Sequence, residues 1–145
     1  MTWFEPTPSK TTSDPNEVLT PGFVQVYEGS SVTLKWSYNL SLGLGLGGVI
    51  RFKTDAIFNI KADGSATPVK AQFQERFTAT STPGRTSLII SPVKVSDDKL
   101  FGEFRCELLD SNGNLWKRAI EVQVIGKLES VADYKKGVIL AEVYC

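Results

Sequence analysis

The chain contains no histidine and only two cysteines among its 145 residues. Without imidazole there is no histidine-based catalytic triad, no histidine metal ligand and no proton shuttle titrating near neutrality. Cys106 and Cys145 are too few for a disulfide scaffold or a cysteine zinc site. A surplus of one charge sign is missing as well: 16 Lys and Arg offset 16 Asp and Glu. A nucleic-acid binder would carry a basic excess, so nucleic acid is not an expected partner. No run approaches the roughly 18 apolar residues of a membrane-spanning helix, and direct membrane insertion of this stretch is not expected. Met1-Thr2-Trp3-Phe4 opens without a basic and apolar leader, so no signal peptide is expected there.

What the chain does hold is period-two alternation. A length of 145 residues suits one domain with a core of its own. Residues 1–22 contain four of the seven prolines (Pro6, Pro8, Pro15, Pro21) and read as a lead-in or broken edge strand. From Phe23 onward apolar and polar residues alternate, most clearly in Val32, Leu34, Trp36 and Tyr38. Further strands are expected at Val49–Lys53, Ile57–Lys61, Gln72–Thr80, Ser87–Ser91, Phe104–Leu108 and Ala119–Ile125. Turn chemistry separates them at Ala62-Asp63-Gly64-Ser65, at Pro83-Gly84 and at Asn112-Gly113. Eight or nine short strands without a helical window imply an all-β antiparallel sandwich or barrel. Leu40, Leu42, Leu44 and Leu46, spaced by Gly and Ser, read as a flexible loop that either tucks into the core or projects as an apolar contact tip.

No catalytic, cofactor-binding or metal-binding set emerges. Asp97-Asp98 lie at a polar corner, where neighbouring carboxylates cap turns more often than they work as an acid–base pair. Gly43-x-Gly45-x-Gly47-Gly48 precedes no helix and no Lys-Ser/Thr, so it is not a phosphate loop. An enzyme is not expected.

Several segments carry a resemblance. Gly29-Ser30-Ser31-Val32-Thr33-Leu34-Lys35-Trp36-Ser37-Tyr38 resembles strand B of a variable-type immunoglobulin domain, whose pattern is G-x-S-V-T-L-x-C-x-Y. Glu75-Arg76-Phe77-Thr78 resembles strand D, and Ser87-Leu88-Ile89-Ile90 resembles strand E. Asp97-Asp98 with Gly102-Glu103-Phe104-Arg105-Cys106 resembles the E–F corner and strand F. The similarity implies a V-type sandwich over residues 23–126, with 127–145 as a tail or the start of a following domain.

The departures from that pattern are specific. Trp36 stands where strand B has its cysteine, so the usual B–F disulfide cannot form. Phe104 replaces the corner tyrosine, and Leu100 occupies the place of the corner aspartate, leaving Asp97 or Asp98 to pair with Arg76. Trp36, Phe52 and Phe104 are the expected core aromatics. V-type domains without these hallmarks are similar to the membrane-distal domains of the allorecognition receptors of colonial hydroids. That likeness implies adhesion at the extracellular face of the plasma membrane, with the same or a related receptor on an opposing cell as partner.

Setting Cys106 inward puts Arg105, Glu107 and Leu109 outward on strand F. By the same parity Arg51 and Lys53 face out from strand C, and Lys117 and Glu121 from the last strand. With Phe58 of the C′ strand they form the expected protein-binding C–C′–F–G face, whose mixed charges suit a weak homodimer. Cys106 and Cys145 are a candidate disulfide, unless Cys145 belongs to a following domain. Asn39-Leu40-Ser41 is a glycosylation acceptor triplet. The alternative is a secreted or structural sandwich that binds carbohydrate in a groove lined by Trp116, Trp3 or Tyr27.

Overall fold

The computed structural model describes residues 1–8, 14–39 and 44–126. Ten strands form: β1 (Thr2–Glu5), β2 (Gly22–Tyr27), β3 (Val32–Asn39), β4 (Leu44–Phe52), β5 (Asp55–Ile60), β6 (Ala66–Pro68), β7 (Phe77–Thr82), β8 (Arg85–Ile90), β9 (Phe104–Asp110) and β10 (Leu115–Ile125). In β3 the alternation is expressed directly: Leu34, Trp36 and Tyr38 are buried, whereas Thr33 and Lys35 face solvent. The strands pair as a four-stranded sheet, β1-β3-β8-β7, and a six-stranded sheet, β2-β10-β9-β4-β5-β6. These are the ABED and A′GFCC′C″ sheets of a variable-type immunoglobulin sandwich. All described pairings are antiparallel except β2 with β10, which run parallel.

The parallel pair follows from a change of sheet. β1 pairs with β3, while β2 pairs with β10 in the opposite layer. The prolines between them suit a segment that crosses an edge, because it needs no ladder donors there. The two inner faces supply the core: Leu34, Trp36, Leu88 and Ile90 from one sheet, and Ile50, Phe104, Cys106, Leu108 and Val122 from the other. Trp36 and Phe104 are fully buried; Phe52 is half-buried, with its ring centre 4.6 Å from that of Phe104.

Two expectations need correction. The Leu/Gly segment was expected to be a loop throughout, yet residues 44–48 belong to β4. The register with β9 shifts between Leu44 and Gly47, and glycine is required where the shift ends. At Gly47 φ is +95°, and a Cβ would lie 2.0 Å from the Ile60 carbonyl oxygen. Residues 40–43 lie outside those described. Gln72–Glu75 was expected to extend a strand, but Ala71–Glu75 forms a 3-10 turn. That turn places Phe73 edge-on to Phe77, 6.4 Å between ring centres, ahead of Arg76.

Arg76 locks the bottom of the sandwich. Its guanidinium donates to both Asp97 oxygens, at 2.8 and 3.0 Å, and to the Pro92 carbonyl at 2.9 Å. Asp97 also accepts the Lys94 N–H. Asp98 holds the neighbouring strand, accepting the Val124 N–H at 2.7 Å and the Leu100 N–H at 3.0 Å. Asp98 thereby ties the corner to β10.

Candidate protein-binding face

The outer face of the six-stranded sheet is assembled by register. Arg105 lies opposite Ala119 on β10 and Arg51 on β4; Glu107 lies opposite Lys117 and Val49; Leu109 lies opposite Leu115 and Gly47. Three short rows therefore bring Arg51, Arg105, Glu107 and Lys117 into one patch, while Lys53 follows β4 in the turn and Glu121 lies opposite Phe23 of β2. Arg51 Nε donates to Glu107 Oε1 at 2.8 Å, and Arg105 Nε forms an ion pair with Glu107 Oε2 at 3.1 Å. Each arginine is also anchored to the β4–β5 turn, Arg51 through the Thr54 carbonyl at 3.2 Å and Arg105 through the Lys53 carbonyl at 3.0 Å.

These contacts change the role expected of Glu107. Outward parity predicted a carboxylate free to meet a partner's arginine. Instead the side chain is 8 % exposed, and both oxygens are committed within the chain. The cluster of two guanidiniums and one carboxylate carries a single net positive charge. Lys53 and Lys117 are exposed beside it, while Leu109, Val49 and Glu121 are half-buried and Leu115 remains exposed.

Phe58 does not belong to this face. It is 3 % exposed and lies opposite Ile50, which is fully buried, so both point into the core. The register of β4 with β5 shifts after that pair, leaving Ile57 as an extra residue. The bulge buries both Ile57 and Phe58, an outcome that strict alternation does not anticipate.

The aromatic groove of the carbohydrate alternative is also corrected. Trp3 is buried against Tyr38, with ring centres 5.6 Å apart and an edge-on angle of 70°. Trp116 is buried too, its Nε1 donating to Asp110 Oδ2 at 2.9 Å. Of the three rings only Tyr27 is exposed to solvent. Asn39 ends β3 in an exposed position. Cys106 carries a free thiol in the core, where burial pushes its pKa far up; its candidate partner Cys145 lies outside the described residues.

Several exposed apolar side chains were not anticipated from the sequence, among them three on β2 and the corner before β9. Phe23 is 54 % exposed, Leu100 78 % and Phe101 52 %. Phe23 was accessible to parity, since Val24 and Val26 lean inward and leave Phe23, Gln25 and Tyr27 outward. Leu100 and Phe101 sit in a corner without period, which gives no such signal.

No protein-family model matches the chain, and no curated protein does. Among solved structures, 1164 chains match; murine CRIg is one, with a TM-score of 0.52 and 23 % sequence identity over 72 % of this chain and 92 % of that chain. The chain therefore has the fold of a V-type immunoglobulin-like β-sandwich, and it lacks the usual B–F disulfide because Trp36 faces Cys106's sheet. So many matches define an architecture and leave the ligand to the surface residues.

Proposed function

We propose that this domain is a recognition module on the extracellular face of the plasma membrane, binding protein through the outer face of β4, β5, β9 and β10. In this reading the partner is the same or a related receptor on an opposing cell, as in allorecognition. The observation that carries it is the Arg51–Glu107–Arg105 cluster. An outward carboxylate held by two turn-anchored arginines fixes both guanidiniums before a partner arrives, which lowers the ordering cost of binding. Arginine is enriched at the centres of protein interfaces, and the adjoining Leu109, Leu115 and Val49 provide apolar area beside these two.

Tethered copies on beads and concentration-dependent light scattering test this reading. Clustering that weakens at least fivefold on Leu115→Asp or Lys117→Glu supports it. Both side chains are exposed, so the fold is retained. Dispersed beads, with a monomer at every concentration, would remove the homophilic version.

A further inference from the structure

Phe23 is linked through Lys99 to the corner that carries Leu100 and Phe101. The Lys99 ammonium lies 5.3 Å from the centre of the Phe23 ring. The Lys99 N–H donates to the Val122 carbonyl at 2.7 Å, which holds the corner against β10. At the other end of the corner, a Cβ on Gly102 would come within 2.9 Å of the Lys53 Cβ, and the Lys53 N–H donates to the Glu103 carbonyl at 3.0 Å. A band therefore runs from β2 across β10 to the β4–β5 turn, along one border of the Arg51–Glu107–Arg105 patch. Exposed apolar tips grouped along one border point to a contact surface, whereas scattered single ones do not.

Charge selects the occupant. Glu121 lies opposite Phe23 in the β10–β2 register. Along the band Lys53 and Lys99 are matched by Glu103 and Glu121, so it is neutral with both signs present. Arg51, Arg105 and Lys117 outnumber Glu107 at the centre of the sheet face, so a contact between two copies gains by being offset from that centre toward the band. Two copies meeting along the band can place Glu121 of each against Lys53 of the other, as a two-fold contact requires.

We propose that this band is the self-contact surface, with Phe23, Leu100 and Phe101 as apolar anchors and the two Glu121–Lys53 pairs setting the register. The proposal rests on the homophilic reading above and relocates its anchors. Sedimentation equilibrium of the 145-residue chain tests it, using Leu100→Asp, Phe101→Asp, Lys53→Glu and Glu121→Lys. Each single change is expected to weaken self-association about tenfold. An equimolar mixture of Lys53→Glu and Glu121→Lys chains should recover part of the loss, because one of the two reciprocal pairs is then rebuilt with its charges exchanged, which a merely structural effect would not do. Self-association that responds to Leu115→Asp but not to these four changes would overturn the band and leave the sheet-face reading standing. A wild-type chain that never associates would overturn both.

Discussion

The indole Nε1 of Trp36 donates a 2.9 Å hydrogen bond to the carbonyl oxygen of Arg118, joining β3 to β10 through the interior. Trp36 occupies the strand-B position of the missing disulfide, so the two sheets are linked there by a large apolar surface and one polar contact. Burying an indole of this size contributes a few kcal/mol, comparable with the roughly 3–4 kcal/mol that closing so long a loop by a disulfide provides.

Removing the donor alone tests that link. Trp36→Phe keeps most of the volume and leaves the Arg118 carbonyl buried without this partner. The expected loss is about 2 kcal/mol, and Trp36→Ala should cost about 3–5 kcal/mol through the added cavity. Urea unfolding followed by tyrosine fluorescence or circular dichroism measures both. A Trp36→Phe chain as stable as the parent would show the hydrogen bond to be dispensable.

Arg76 and Asp97 form the most enclosed ion pair described, with side chains 18 % and 4 % exposed. Asp97→Ala leaves the guanidinium without its carboxylate and frees the Lys94 N–H. About 3 kcal/mol of destabilisation is expected, as for other pairs broken on one side only. Restoring a neutral acceptor with Asp97→Asn should recover less than half of it in thermal melts.

Alkaline stability depends on two buried groups that ionise late. Burial is the main cause for both: it pushes the Cys106 thiol above its ordinary 9.0 and the Tyr38 hydroxyl above its ordinary 10.0. Raised folded-state values mean that the unfolded chain releases these protons first, so stability is full below pH 9 and falls as pH rises beyond it. Cys106→Ala should flatten the first part of that decline. In the native state the thiol should resist alkylation at pH 8, reacting only as fast as the chain unfolds.

Acid stability has the opposite sign at Asp110. Its carboxylate accepts the Trp116 Nε1–H and the N–H groups of Asn112 and Asn114, which hold its pKa below the ordinary 3.8. The contribution is present above that value and is lost as pH falls through the lowered one. Asp110→Asn keeps one acceptor oxygen but turns an amide toward a donor. Its acid-unfolding midpoint should move to higher pH, read by tryptophan fluorescence; an unchanged midpoint would separate the hairpin cap from acid stability.

Much of the fold was legible in residues close together in the chain. The alternation of Val32 to Tyr38 predicted one buried face, and Asn112-Gly113 predicted the turn between β9 and β10. The resemblance implied pairing of Arg76 with Asp97 or Asp98, and the structure selects Asp97. The candidate face was legible in part. Parity brought Arg51, Arg105 and Glu107 to one side, but the closure of both arginines over Glu107 depends on three strands meeting in register.

The sequence by itself determined an all-β antiparallel sandwich or barrel and which side of most strands is apolar. Its resemblance to a variable-type domain implied the two-layered sandwich and, with Trp36 in the strand-B cysteine position, the missing disulfide. These are consequences of period-two patterning and of single residue identities such as Trp36. Only the tertiary structure decided that Phe58 turns inward, that Trp3 is buried, and that Phe23, Leu100 and Phe101 reach solvent together. Each of these depends on a bulge, an edge or a corner where segments distant in the chain meet, and such meetings leave no periodic trace in either segment alone.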